Sequence, residues 1–302
     1  MSETEGTAAE GTGAEEIAGG PATEPGDQPA AEGEATAAPR PSVATRAPAA
    51  PAYNPAGARP GVNPAEETER VGHIVRSYKI AIAVGALGLA WARQEQAPTG
   101  AVVVADREVS PMGRLGKVWM VPAEQTLAMA VILRPPLGVE EADAVWVLGA
   151  LAAAEGAEVA GGRPVRSWWP DTVVDENERP IGAIKAEIQL GPGKVRSAVV
   201  SMRLDLASVG LDVARRETLL DAVLTALDAH SATLGEGAAS VAAAYQARCS
   251  LLGKRIKVRL LPKGETRGIA RGIDRMGRLE LESSSGLIER LGIDVLRSYE
   301  IV

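Results

Sequence analysis

Apolar residues recur at helical spacing between Glu66 and Gln96, at Val71, Ile74, Val75, Tyr78, Ile82, Leu87 and Leu89. The pattern stops at Ala97-Pro98-Thr99-Gly100, so one helix is predicted over Glu66–Gln96. Val102–Ala105 is short and β-branched, the mark of a buried strand, and Thr126–Leu133 reads as another, ended by Pro135-Pro136. Glu140–Gly156 is predicted as a helix, apolar on more than one face and therefore well buried. Arg166–Val174 and Ile181–Leu190 are predicted as two strands joined by the turn Asp175–Arg179, and Ser197–Leu206 as a third. Helices are predicted over Arg215–His230 and Gly237–Ser250. This order, with its sequence-local hairpins, favours an α+β fold over a doubly wound one.

The periodicity changes at Ser250. Gly253–Leu260 alternates charged and aliphatic residues, and Thr266–Ile273, Arg278–Glu282 and Asp294–Val302 continue as short strands between glycine turns. A small all-β barrel of about 50 residues is predicted there, too small for a large core of its own and docked on the main domain.

Composition divides the chain further. Residues 1–65 are rich in Ala, Glu, Gly, Pro and Thr and have almost no large apolar residue, so an unstructured tail and extended linker are expected. Residues 1–39 hold nine acids and no Lys or Arg. Removing them from the formal net charge of −7 leaves about +2 for the remainder. The expected domains are thus 1–65, 66–248 and 249–302. One cysteine, Cys249, excludes a disulfide framework, and His73 and His230 lie too far apart for an obvious metal pair, so no metal site is expected. The acidic N-terminus lacks a secretory pattern, and Ile80–Ala92, the longest apolar stretch read, has 13 residues against roughly 20 for a span. A cytoplasmic protein without membrane attachment is expected. From Arg248 to Arg278 ten cations face two acids, but no aromatic residue interleaves them, which leaves nucleic-acid stacking without support.

Two segments carry candidate chemistry. In Ser110–Trp119, Gly113 and Gly116 bracket Arg114 and precede Lys117; such a loop lets backbone N–H groups approach an anion while two cations neutralise it, or is an ordinary exposed loop. In Ser167-Trp168-Trp169-Pro170-Asp171-Thr172, the adjacent tryptophans form either a stacking wall for a ligand or one core residue and one on the opposite face.

In order along the chain these segments resemble the biotin-protein ligases, over most of residues 70–302. The family loop G-R-G-R-x-G-R-x-W corresponds to Pro111–Trp119, its K-W-P-N-D to Trp168–Thr172, its K-x-x-G-I-L to Arg179–Ile184 and its G-x-G-I-N to Ser201–Asp205. Leu252–Val258 and Gly272–Leu279 are similar to the family's C-terminal SH3-like domain. The resemblance implies a class II synthetase-like mixed or antiparallel sheet with helices. It also implies activation of biotin, or a similar small acid, by ATP with Mg2+, and transfer to a lysine of a biotin carboxyl carrier-type protein. Arg114 and Lys117 would then face the phosphates. Gly113, Gly116 and Gly182 would allow close backbone approach, and Trp119, Trp168, Trp169, Asp171 and Asp205 would line the ligand site. No DNA-binding domain is expected, and an exposed sheet edge would suit a homodimer.

The chain departs from the motifs at charged positions. Trp168 stands where the family has lysine, Met112 where it has arginine, Arg203 where it has glycine, and Asp205 where it has asparagine. With a hairpin centred near Asn177, Lys185 would pair with Trp169 and project from the face opposite Trp168, unable to replace the lost lysine. An active ligase and a catalytically silent relative that keeps a ligand- or carrier-binding surface both remain open.

Overall fold

Tertiary pairing first overrides local periodicity near residue 75. The computed structural model describes residues 52–53 and 70–302. Strand β1 is Ala52–Tyr53, β2 is Val75–Ala81 and helix α1 is Val84–Gln94. The single helix expected over 66–96 is therefore a strand followed by a shorter helix. Val75 to Ala81 pairs in parallel with a strand at 102–108, and β-branched and aromatic residues suit that sheet better than a helix. The rest of the expected tail, apart from β1, lies outside the described residues.

The chain continues as β3 (Val102–Glu108), β4 (Thr126–Leu133), α2 (Ala144–Gly161), β5 (Arg166–Trp168), β6 (Thr172–Val174), β7 (Pro180–Gly191) and β8 (Lys194–Asp205). Helices α3 (Leu206–Val209), α4 (Arg216–Leu234) and α5 (Ala238–Arg248) follow. The first sheet has the order β1-β2-β3-β4-β8-β7-β6-β5; β2 and β3 are parallel and the other pairs antiparallel. The fold is α+β, as the sequence predicts.

One face of this sheet packs on α2, and α2 packs in turn on α4 and α5. Small residues let α2 come close on both sides. A Cβ at Gly149 would stand 2.6 Å from Val200 Cγ1, and one at Gly156 2.6 Å from Val223 Cα. Val139–Gly161 is long and apolar enough to cross a membrane, more so than the stretch singled out from sequence, but 78% of it is buried inside the protein. That burial is the signature of a core helix. On the opposite face α1 lies on β4 and β8, where a Cβ at Gly88 would be 2.9 Å from Val199 Cγ1.

The expected barrel is a five-stranded antiparallel sheet of order β12-β11-β10-β9-β13. It comprises β9 (Arg255–Leu260), β10 (Glu265–Ile273), β11 (Leu279–Glu282), β12 (Ile288–Leu291) and β13 (Leu296–Ile301). Its positive surplus is largely neutralised by acids of its own and of the first sheet: Lys257 pairs with Glu265, Arg259 with Glu300, Arg271 with Glu282, Arg278 with Asp274 and Lys254 with Glu178. This is a solvated, salt-bridged face, and it leaves little free charge for a polyanion.

The C-terminal sheet docks through directed bonds. Ile273 N donates to Gln246 Oε1 at 2.7 Å, and Ile293 N to Asp143 Oδ2 at 3.0 Å. Burial pushes the Asp143 carboxyl from its ordinary 3.8 up to about 6, against the lowering effect of that N–H. A carboxyl whose pKa is raised on folding contributes stability that is complete below pH ~4 and lost as pH rises through ~6. Asp143→Asn keeps an acceptor and carries no charge. It is expected to raise the melting temperature at pH 8, by up to about 3 kcal/mol in stability, and to leave it unchanged below pH 4. Melting curves across that range would refute this if the gap between variant and wild type stayed constant.

Candidate functional site

The loop that follows β3 folds back on itself. Gly113 N donates to Lys117 O at 2.7 Å and Trp119 N to Pro111 O at 3.0 Å. The turn between them needs left-handed backbone at Leu115 (φ 53°) and Gly116 (φ 76°); only the second residue adopts it freely. Trp119 Nε1 reaches Thr126 Oγ1 at 3.1 Å, which fixes the far end of the loop to β4. Arg114 spans to the rest of the molecule. Its Nε donates to Asp171 Oδ2 at 2.9 Å, its Nη1 to Leu296 O at 2.6 Å and its Nη2 to Arg297 O at 3.4 Å. Lys117 is exposed and makes no ion pair among the described residues.

One face of the sheet follows from the registers. Tyr78, Ala105, Ala128, Arg203, Ala183, Thr172 and Trp168 are successive cross-strand partners and share one face. Arg203, in the middle of the row, is 2% exposed, and its partner Glu108 is 3% exposed. Glu108 accepts from Arg203 Nε and Nη2, each at 2.6 Å, and from Val84 N, at the start of α1, at 2.9 Å. Arg203 Nη1 is buried and has no hydrogen-bond partner. Arg203 was legible as a departure from a motif. Glu108 was not, because nothing local marks the last residue of a strand as the mate of an arginine 95 residues on.

The hairpin over residues 166–191 is not the one expected. Pro170 cannot donate to a ladder, and the predicted single strand breaks there into β5 and β6. Trp168 consequently pairs with Thr172 and not with Ala186, and Thr172 pairs with Ala183. Two residues on from Ala183, Lys185 shares the face of Arg203 and Trp168, which corrects its expected place on the opposite side. Lys185 lies opposite Ser201 and pairs with Glu187 at 3.1 Å, both about 30% exposed.

Other expected site residues serve elsewhere. Trp169 is fully buried, and its indole donates to Gly277 O at 2.9 Å, so it joins the two sheets and forms no ligand wall. Gly182 faces the α2 side, where a Cβ would be 2.5 Å from Leu204 Cδ2; its close approach is to the core. Asp205 caps α3, accepting from Ala207 N at 3.1 Å and from the Ser208 hydroxyl. Trp168 is half-buried, with Lys254 Nζ 5.8 Å from its ring centroid. The structure thus brings together Arg114 and Asp171, with Trp119 at the loop's far end, and separates Trp169, Gly182 and Asp205 from them. Burial pushes the Tyr299 phenol well up, reinforced by the nearby Asp171 charge. Cys249 is buried and its thiol is raised by that burial, as suits a core residue.

Comparison with known proteins follows these landmarks. Residues 251–292 match the family described as Biotin protein ligase C terminal domain. The bifunctional ligase/repressor BirA of Bacillus subtilis is 24% identical over 218 residues, 66% of either chain. The protein of the same name from Bacillus spizizenii is 29% identical over 110 residues, 36% of this chain and 34% of that one. The matches thus span about a third and just under two thirds of these relatives. Among solved structures, the biotin protein ligase of Aquifex aeolicus in complex with biotin and ATP superposes with a TM-score of 0.59 at 18% identity, covering 76% of this chain and 99% of that one. A biotin protein ligase-like protein of unknown function from Silicibacter gives 0.55 at 14%, covering 72% and 94%. Residues 251–292 are thus similar to a biotin protein ligase C-terminal domain, and the described chain has the fold of the biotin protein ligases.

Proposed function

We propose that this protein activates a small carboxylic acid, biotin or one like it, with ATP and passes the acyl group to a lysine of a carrier protein. One observation carries the reading above the family likeness: two segments that hold the family's motifs, the loop and the hairpin, meet a C-terminal strand at one guanidinium. Arg114 of the loop binds Asp171 of the hairpin and the backbone of the C-terminal strand β13. In the first step a carboxylate oxygen attacks the α-phosphate and pyrophosphate leaves. In the second the lysine amine attacks the acyl carbon and AMP leaves. Neither step needs a protein nucleophile; both need positive charge where phosphate charge develops. Lys117, exposed and without an ion pair among the described residues, would supply it, and Arg114 would position the loop. Among the described residues no group of three or more His, Cys, Asp or Glu could hold a metal, so Mg2+ is expected to arrive on the nucleotide.

Pyrophosphate release by the full chain with ATP and biotin, and separately with lipoate, tests this reading. Acid-dependent release is expected, and Lys117→Ala should lower it roughly 30- to 1,000-fold, the effect of removing one cation worth about 2–4 kcal/mol. A second reading, a silent binding relative, is favoured by the half-buried Trp168 in place of the motif lysine. Release absent in the wild type but present in Trp168→Lys would establish that reading instead.

A further inference from the structure

We propose that Arg203 is the specificity-determining group of this site, donating its Nη1 N–H to a neutral carbonyl oxygen at the far end of the bound acid. The inference deepens the acid-activating reading and rests on it for the identity of the ligand as an acid.

Four observations lead there. Glu108 takes the edge of the guanidinium formed by Nε and Nη2, so Nη1 is left on the opposite edge, facing away from that carboxylate. That nitrogen is buried without a partner, although Arg203 is 2% exposed. Buried donors are ordinarily satisfied, and one left open in a side chain so firmly held marks a place kept for an acceptor. Next, the flanking residues on the same face are small: Ala128 and Ala183 lie directly opposite Arg203 on either side, and Ala105 one strand further. They leave the guanidinium the only large group of the row between β3 and β7. Finally, the strand of Arg203 lies between the loop's two attachments in the sheet. The loop leaves β3 at Glu108, and Arg114 ties it to Asp171 beside β6, with β8 between them in the strand order.

Charge selects the acceptor. Arg203 and Glu108 already balance, and Glu108 also caps the start of α1. A carboxylate brought against Nη1 would leave a buried negative charge without compensation, whereas an amide, urea or ketone oxygen would not. The acid's own carboxylate is then left for the exposed Lys117, at the other end of the ligand. Arg203 is thus the group that tells acids apart by their distal end.

Biotin and lipoate are matched probes, since both carry a pentanoate chain and only biotin has a carbonyl at its far end. Their binding to the full chain by calorimetry without ATP separates recognition from chemistry. Biotin is expected to bind at least 10-fold more tightly than lipoate. Arg203→Lys, which keeps an ion pair with Glu108 but has no second edge to present to a ligand, should weaken biotin about 10- to 100-fold and leave lipoate unchanged. Should the lysine variant fold poorly, the double variant Arg203→Met/Glu108→Leu, which removes both charges, is expected to show the same loss for biotin alone. Equal affinities for the two acids, no biotin binding, or variants that bind biotin like the wild type would each overturn the proposal. Biotin bound selectively but without pyrophosphate release would overturn the activating reading and leave this one standing.

Discussion

Trp169→Ala is expected to lower stability by about 4 kcal/mol and to loosen the C-terminal sheet from the first. Trp169 is wholly buried in the main core, so truncation removes a large apolar surface and leaves a cavity beneath β5 and β6. It also removes the indole N–H that Gly277 O accepts at 2.9 Å. That carbonyl belongs to a tight turn, with Gly277 at φ 88° and a Cβ there only 3.2 Å from Asp143 O, so the turn cannot move far to find another donor. Urea unfolding monitored by tryptophan fluorescence, combined with limited proteolysis, should show a lower midpoint and earlier cleavage between residues 249 and 302. A variant whose C-terminal sheet resisted protease like the wild type would show that the contact is dispensable for docking. Trp169→Phe, which fills most of the volume without the N–H, should recover most of the stability but not all of the docking.

The second large effect is expected at Glu108. Glu108→Ala leaves Arg203 charged and buried with no carboxylate, a loss of about 3–5 kcal/mol, and uncaps α1 at Val84 N. Removing both partners together is a different experiment. Replacement of the pair by apolar residues of similar volume is expected to be nearly neutral, within about 1–2 kcal/mol of the wild type. Denaturant melts of the single and double variants form a thermodynamic cycle, and additive losses would mean that the two side chains do not act as a unit. A near-neutral double variant would mean that the pair is kept for some reason other than stability.

Much of the architecture was legible in the sequence because its signals are local. Thr126–Leu133 is uniformly buried, as its unbroken apolar run requires, and α2 needed only its Ala-rich, all-round apolar character. Val75–Ala81 differs from expectation because a short segment of mixed polarity is settled by its neighbour, here β3, and not by its own period. Pro170 was in view and its consequence was missed: one residue without an N–H adds a strand, and the added strand restores Lys185 to the Arg203 face. The loop's glycines and cations were found by motif. What Arg114 binds was not, because its partners belong to a turn and to a strand far along the chain. Trp169 illustrates the same limit, since one indole looks alike in a ligand wall and in a core until its N–H has an address.

Two of the three partners of Arg114 lie 182 and 183 residues downstream in β13. The loop after β3 therefore can fold back on itself and reach Asp171 early, but it lacks its ties to β13 until residues 296–297 have been made. The C-terminal sheet then acts as a late checkpoint on assembly. A nascent chain that stalls or is cut before β13 can complete its central sheet and helices and still present a loop without its ties to β13, so the order of synthesis itself keeps an unfinished chain from holding a finished site.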